Sequence, residues 1–292
     1  MIKHVSLVTK PNNNPESIQY VKRLVAFLDR RGIKTLLVDT NICNDENLSH
    51  CVADINDFLN LPDLIIVVGG DGTLLKTARL FAGKNIPILG INTGMLGFLT
   101  EFSPDEAFKY LESIIEGNYE ITDRAMLDIS YNESGKGIAK KTFLNDAVIS
   151  RGTISHLITI HIEIDGRQLS SFSGDGIIIA TATGSTGYSL SAGGPIITPT
   201  IKNAYIIIPI CPHTLTIRPL IIPSTSVLKV KTVSKFDNLV LSIDGQETTE
   251  IKSNEEILFS GTDKNIHLIA HPEHNFYDIL RQKLGWGRHL NQ

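Results

Sequence analysis

LPDLIIVVGGDGTLL (residues 61–75) runs from an unbroken apolar stretch into two glycines, and then into an acid, a third glycine and a hydroxyl. An apolar strand without polar alternation is one covered on both faces, the condition of a parallel sheet flanked by helices. A glycine turn between such a strand and a helix predicts an open α/β sheet that binds its ligand at the strand's C-terminal end. Most GG or DG pairs are plain turns in which an Asp or Thr caps the following helix. Three glycines, an acid and a hydroxyl packed at this one place predict a phosphate-binding turn instead. The segment fits neither G-x-x-x-x-G-K-[ST] nor G-x-G-x-x-G. A carboxylate there repels phosphate, so Asp71 makes sense as the partner of the other reactant: it accepts a proton from, and orients, a hydroxyl attacking a γ-phosphoryl group.

The pattern around this turn repeats it. HVSLV (4–8), TLLVD (35–39) and IPILGIN (86–92) read as further strands. Ile18, Val21, Leu24, Val25 and Leu28 recur at helical spacing, with Gly32 as the stop. Ser103, Pro104 and Glu106 form a capping box that opens a helix through about Ile115. Strands alternating with helices predict a parallel sheet. From about residue 122 the period becomes two: Ile158, Ile160, Ile162 and Ile164 alternate with polar residues, and Asp165–Gly166 marks a hairpin. Further strands are expected at 176–182, 204–210, 227–233, 238–243, 256–260 and 266–270, and a last helix between His274 and Leu284. The division expected is 1–121 α/β, 122–273 β-rich, and 274–292 as a C-terminal helix.

The chain of 292 residues carries 27 basic and 31 acidic side chains, a net charge of −4 that gives no general reason to bind nucleic acid or an anionic membrane. Its apolar runs fall short of the ~18 residues a spanning helix needs, so no membrane partner is expected. Three scattered cysteines and a start without a secretory pattern predict reduced thiols in a cytoplasm.

Two further strings offer binding chemistry. GDGIIIATATGSTGYSLSAGG (174–194) sets small hydroxyl and glycine residues around Tyr188, a surface suited to a nucleotide. FLNDAVISRG (143–152) places Asn145 and Asp146 inside an apolar stretch, either as a turn or bulge or as a ligand-reading pair. His267, His271 and His274 lack a matching Cys or carboxylate set, so no metal-ligating residues are assigned. Asp244–Gly245 reads as a hairpin turn.

These strings, with NTGMLGFLTE (92–101), PHTLTIRPLIIP (212–223) and LIAHPEHNFYDILRQKLGW (268–286), resemble the NAD kinase family over nearly the whole chain. GGDGT alone is shared with diacylglycerol and sphingosine kinases and with phosphofructokinases; the long small-residue string is the specific part. The resemblance implies an α/β domain with a Rossmann-like parallel sheet, a C-terminal β-sandwich-like domain, and a C-terminal segment packing back on the first domain. It implies transfer of the γ-phosphoryl group of ATP to the 2′-hydroxyl of the adenosine ribose of NAD, with Mg²⁺ as divalent metal, in a homodimer or homotetramer. A lipid kinase and a non-catalytic dinucleotide sensor are the alternatives. Carried over by position, Asp71 is the proton acceptor, Gly72 lies at the substrate, and Gly69, Gly70 and Thr73 shape the phosphate loop. Lys76, Phe98, Asn145, Asp146, His156, Asp175 and the loop Thr186, Gly187, Tyr188, Ser189, Leu190 and Ser191 match nucleotide contacts; Gln246 matches loosely. The chain departs from the family at Ala182 and Gly187, where the common string has proline and alanine, and at Ser173, where many bacterial members carry arginine.

Overall fold

The apolar run that ends in GGDGT forms a fully buried parallel strand, Leu64–Gly69, in the computed structural model. The structure describes residues 2–10, 15–38, 45–133, 137–152, 156–235 and 239–286. The chain divides into two units, one of Met1–Asp123 with Ile266–Gln292 and one of Arg124–Asn265.

In the first unit, β1 (His4–Thr9), β2 (Lys34–Leu36), β3 (Leu64–Gly69) and β4 (Pro87–Asn92) pair in parallel in the order β2-β1-β3-β4. Val5 lies beside Leu64, and Ile65 beside Ile88. The helix Pro15–Asp29 buries Tyr20, Val21, Leu24, Val25 and Leu28, the stripe its spacing predicts, and Gly32 follows at φ 67°. Strand β2 is shorter than expected; Leu37 makes only an isolated bridge to Val52, and Asp39 lies outside the described residues. The capping box is made: Ser103 N donates to Glu106 Oε2 (2.8 Å), and Glu106 N donates to Ser103 Oγ (3.4 Å). The C-terminal segment belongs to this unit. His267 and Leu268 pair in parallel with Pro87 and Ile88, and the helix Phe276–Leu284 buries Ile279 and Leu280.

The second unit is built of antiparallel sheets whose inner faces share one core. β5 (Ile121–Glu133) and β6 (Gly137–Phe143) form a long hairpin, followed by β7 (Asp146–Arg151), β8 (Ile158–Ile164), β9 (Arg167–Gly174) and β10 (Gly176–Thr181). β11 (Ala204–Ile210), β12 (Leu220–Pro223), β13 (Leu228–Val233), β14 (Leu239–Ile243), β15 (Glu247–Ile251) and β16 (Glu256–Ile269) complete it. One sheet runs β12-β11-β10-β7-β14-β15; in the other β16, β13, β8 and β9 are neighbours, and β5 also pairs with β16. Ile158, Ile160 and Ile162 meet Ile177, Ile179, Leu241, Phe143 and Phe259 between the sheets, as period-two alternation requires.

Two strands were expected at 256–260 and 266–270, yet β16 is continuous through Gly261–Asn265. The polar GTDKN stretch looks like a turn, but β5 pairs with β16, and Gly261 N donates to Ser224 O at 3.1 Å. A Cβ at Gly261 would lie 2.4 Å from that same carbonyl, so the glycine serves close approach rather than a bend. Replacing Ser103 by Ala removes the cap of the helix Pro104–Ile115. The first unit is expected to lose about 1 kcal/mol in urea unfolding followed by circular dichroism; an unchanged midpoint would contradict the cap's role.

Candidate active site

The helix after β3 begins at Asp71, a turn earlier than the Leu74 start that the sequence suggests, because Gly70 is extended at φ −111° and acts as N-cap. Thr73 N donates to Gly70 O (2.9 Å). A Cβ on Gly69 would fall 2.5 Å from Thr73 Oγ1, so the turn closes only around glycine. Gly72 and Lys76 are exposed on this helix.

The Asp71 carboxylate does not cap its own helix. It takes the backbone N–H groups of the NTGMLGFLT loop: Phe98 N donates to Oδ2 (2.8 Å), while Leu99 N (3.1 Å), Thr100 N (3.1 Å) and Thr100 Oγ1 (3.0 Å) donate to Oδ1. Gly97 is required by this contact, since a Cβ there would lie 1.9 Å from Asp71 Oδ1. Asn92 holds the loop from the other side. Its Nδ2 donates to Met95 O (2.6 Å) and Thr100 Oγ1 (2.9 Å), and its Oδ1 accepts Gly94 N (2.7 Å). Asn92, Gly97 and Thr100 were not singled out in the sequence, although all three stand in its NTGMLGFLTE string. A carboxylate offers about four acceptor directions. Among the described residues Oδ1 receives three donors and Oδ2 one, so Oδ2 is the oxygen with more capacity for a further hydroxyl. The Phe98 ring packs beside Phe276, centroids 6.2 Å apart, with Lys283 Nζ 4.8 Å from its centre.

In the second unit Asn145 closes the bend between β6 and β7 and Asp146 opens β7, rather than both standing within one strand. The small-residue loop after β10 is fastened to this bend. Thr181 Oγ1 donates to Leu144 O (2.6 Å), Thr181 N to Asn145 O (3.0 Å), and Gly184 N to Thr181 Oγ1 (3.1 Å). A Cβ on Gly184 would lie 1.9 Å from Asn145 O; one on Gly187 would lie 2.9 Å from Asn145 Nδ2 and 3.5 Å from Asp146 Oδ2. Asn145, Asp146 and Gly187 are therefore brought together, and Thr186 adjoins them in the loop. Ser185 Oγ ties the loop to Ile197 by donating to its carbonyl (3.1 Å) and accepting its N–H (3.0 Å). Tyr188–Ser191 forms a single helical turn with Tyr188 and Ser191 exposed, Leu190 half-buried and Ser189 buried against Gly194. Burial, and after it the Asp244 charge, push the Asp146 carboxyl up to about 7.

Two expected contacts do not join this cluster. Asp175 pairs with Arg151 Nε (2.9 Å), and Ser173 Oγ lies 3.4 Å from Thr159 Oγ1. Both sit beyond the Gly176 end of β10, whereas Asp146 is opposite Ala180. Four residues of strand, ~13 Å, already separate Gly176 from Ala180. His156 is exposed outside any element, and Gln246 is exposed in the turn after β14. Of the three C-terminal histidines His267 stands apart, while His271 and His274 stack with ring centroids 4.4 Å apart. His267 binds Asp123 (2.6 Å) and Asn85 (3.2 Å), while His271 and His274 approach Glu106 Oε1 at 3.8 and 3.7 Å. His271 Nδ1 accepts Glu273 N (3.1 Å), which places the proton of the neutral ring on Nε2 and leaves that atom no lone pair for a metal.

The comparisons with known proteins agree along the chain. The ATP-NAD kinase N-terminal domain matches residues 5–119, and the ATP-NAD kinase C-terminal domain matches residues 144–271. The chain belongs to the NAD kinase family. NAD kinase of Geotalea daltonii is 38% identical over 98% of this chain and 99% of its own length, and that of Yersinia pestis 37% identical over 98% and 97%. Yeast NADH kinase complexed with NADH superimposes with a TM-score of 0.90 at 28% identity, covering all of this chain and 90% of that one. An NAD kinase from Archaeoglobus fulgidus in complex with ATP gives 0.73 at 25%, covering 97% of each.

Within the family's small-residue string, Ala182 keeps φ −58°, the dihedral that proline would impose, so the turn survives the exchange. Removing the Asp71 side chain leaves the 98–100 amides without their anion. In Asp71→Ala, hydrogen exchange at Phe98, Leu99 and Thr100 is expected to accelerate about tenfold or more, with β3 unchanged; unchanged exchange would deny the anchor. The Asp146 carboxyl carbon should titrate near pH 7 by NMR. Because this pKa is raised above the unfolded value of ~3.9, the folded state holds the extra proton, and stability contributed by that proton is lost as pH rises from about 4 to about 7. Titration near 4 would contradict the buried pair.

Proposed function

We propose that this protein transfers the γ-phosphoryl group of ATP to the 2′-hydroxyl of the adenosine ribose of NAD, giving NADP, with Asp71 as proton acceptor. The observation that carries the reading is the anchoring of Asp71: three loop donors go to Oδ1 and one to Oδ2, which supports Oδ2 as the acceptor of a further hydroxyl. The ribose oxygen bonds to the γ-phosphorus, the bond to the β-phosphate oxygen breaks, ADP leaves, and the proton passes to Asp71. Four loop donors fix the carboxylate in place, so orientation is the larger part of its contribution and proton acceptance the smaller.

Gly69, Gly70 and Thr73 shape the phosphate loop and Gly72 lies at the substrate, with exposed Lys76 as an NAD contact one turn on. Mg²⁺ enters as part of the ATP complex; ions of this kind are held largely by phosphates and water. Phe98 offers its ring to the nucleotide. In the second unit, Asn145 and Asp146 bind NAD amide or base and ribose groups, bordered by Thr186, Gly187, Tyr188, Ser189, Leu190 and Ser191. His156, Ser173, Asp175 and Gln246 are proposed as outlying NAD contacts. A homodimer or homotetramer would cover the exposed Leu169, Leu215 and Ile221. Cys51 and Cys211, neither of them in a disulfide, suit a cytoplasmic protein.

Purified protein with ATP, Mg²⁺ and NAD, coupled to an NADP-specific dehydrogenase, should give a steady signal; none across the divalent metals would overturn the proposal. Asp71→Asn is expected to lower kcat by about 10²- to 10⁴-fold while calorimetric NAD binding persists. A near-normal kcat would remove Asp71 from the chemistry.

A further inference from the structure

Asp165–Gly166 and Asp244–Gly245 are built alike. Asp165 and Asp244 both stand at φ 51°, followed by glycines at 75° and 63°, the left-handed pair of a two-residue hairpin. The turn itself asks only for a residue that tolerates this conformation. Asp165 accordingly stays at the surface, accepting Val227 N (2.8 Å). Asp244 is 95% buried by contrast, at 5% exposure, and the hairpin gives no reason for burying a carboxylate.

What surrounds Asp244 supplies the reason. Asn145 N (2.7 Å) and Asp146 N (3.2 Å) donate to its Oδ1, and Leu144 N (3.3 Å) to its Oδ2. Its own N–H donates to Asp146 O (2.7 Å), closing the contact in both directions. Three consecutive amides converging on one carboxylate form an anion-holding concavity, here filled from within the chain. Leu144 O and Asn145 O are taken by Thr181 from the other side. The bend is thus gripped on its donor edge by Asp244 and on its acceptor edge by Thr181. Neither grip uses the Asn145 or Asp146 side chain.

We propose that Asp244 is a positioning residue for dinucleotide binding, fixing the backbone of the Asn145–Asp146 bend so that both side chains project as a set. The inference rests on the reading of that pair as NAD-binding. Asp244 touches no reacting atom; it acts on the acceptor substrate and leaves the phosphoryl donor and Asp71 alone.

Asp244→Asn tests it, because a carboxamide loses the charge, keeps one acceptor oxygen and sets its NH2 against Leu144 N, itself a donor. NAD affinity by calorimetry and the KM for NAD are expected to worsen by about 10- to 100-fold, the loss that charge-assisted hydrogen bonds convert to. The KM for ATP and kcat at saturating NAD should stay within about threefold. Asp165→Asn, in the twin hairpin, should change none of these. Asp244→Glu keeps the charge and should recover part of the NAD affinity lost in Asp244→Asn. Unchanged NAD affinity in Asp244→Asn, or a uniform fall in active protein without a KM change, would overturn the inference. Calorimetry separates the two claims: NAD binding by the unaltered chain without phosphoryl transfer would sink the kinase reading and leave this test intact.

Discussion

A carboxylate bound by consecutive backbone amides is the interaction on which both halves of this protein turn. Asp71 collects the N–H groups of residues 98–100, and Asp244 those of residues 144–146. Amides aligned in this way need an anion, and a buried carboxylate needs donors; each settles the other's cost. The result is a loop held in one conformation by a side chain from a distant part of the sequence. Glycines stand where the two surfaces meet, because at Gly97 and Gly184 the opposing atom comes within 1.9 Å of where a Cβ would be.

The two carboxylates are used differently because their surroundings differ. Asp71 is half-buried, lies at a helix N-terminus and keeps acceptor capacity on Oδ2. Asp244 is buried beside another acid, Asp146, whose carboxyl it helps to hold near neutrality. The first arrangement leaves an anion with acceptor capacity for the hydroxyl of the proposed reaction. The second fixes a bend and leaves a neighbouring acid able to donate a proton or offer a lone pair, a mixed capacity that suits the NAD groups proposed above.

Much of the fold was legible because local signals and tertiary demand coincide. The stripe of the helix Pro15–Asp29, the Ser103 capping box and the alternation through Ile158–Ile164 are each buried as their spacing requires. The hairpin at Asp165–Gly166 follows from its residues alone. Polar strands such as β6 and β9 escaped notice, since GIAKKTF and RQLSSFSG carry little apolar alternation and form by pairing with stronger neighbours. The GGDGT and Asn145–Asp146 strings announced themselves by composition. The residues that hold them did not: Gly97 and Thr100 sit 26 and 29 positions from Asp71, and Asp244 is 98 from Asp146 behind an ordinary turn signal. Spacing shows what a residue can do locally; only the fold shows which distant amides it meets.

The most direct test of the account is a structure of the protein with NAD and a non-transferable ATP analogue. Asp71 Oδ2 is expected within about 2.6–3.2 Å of the ribose 2′-oxygen, with Oδ1 still on the amides of Leu99 and Thr100. A 2′-hydroxyl hydrogen-bonded to some other group, with both Asp71 oxygens occupied only by the loop, would make Asp71 an anchor and nothing more.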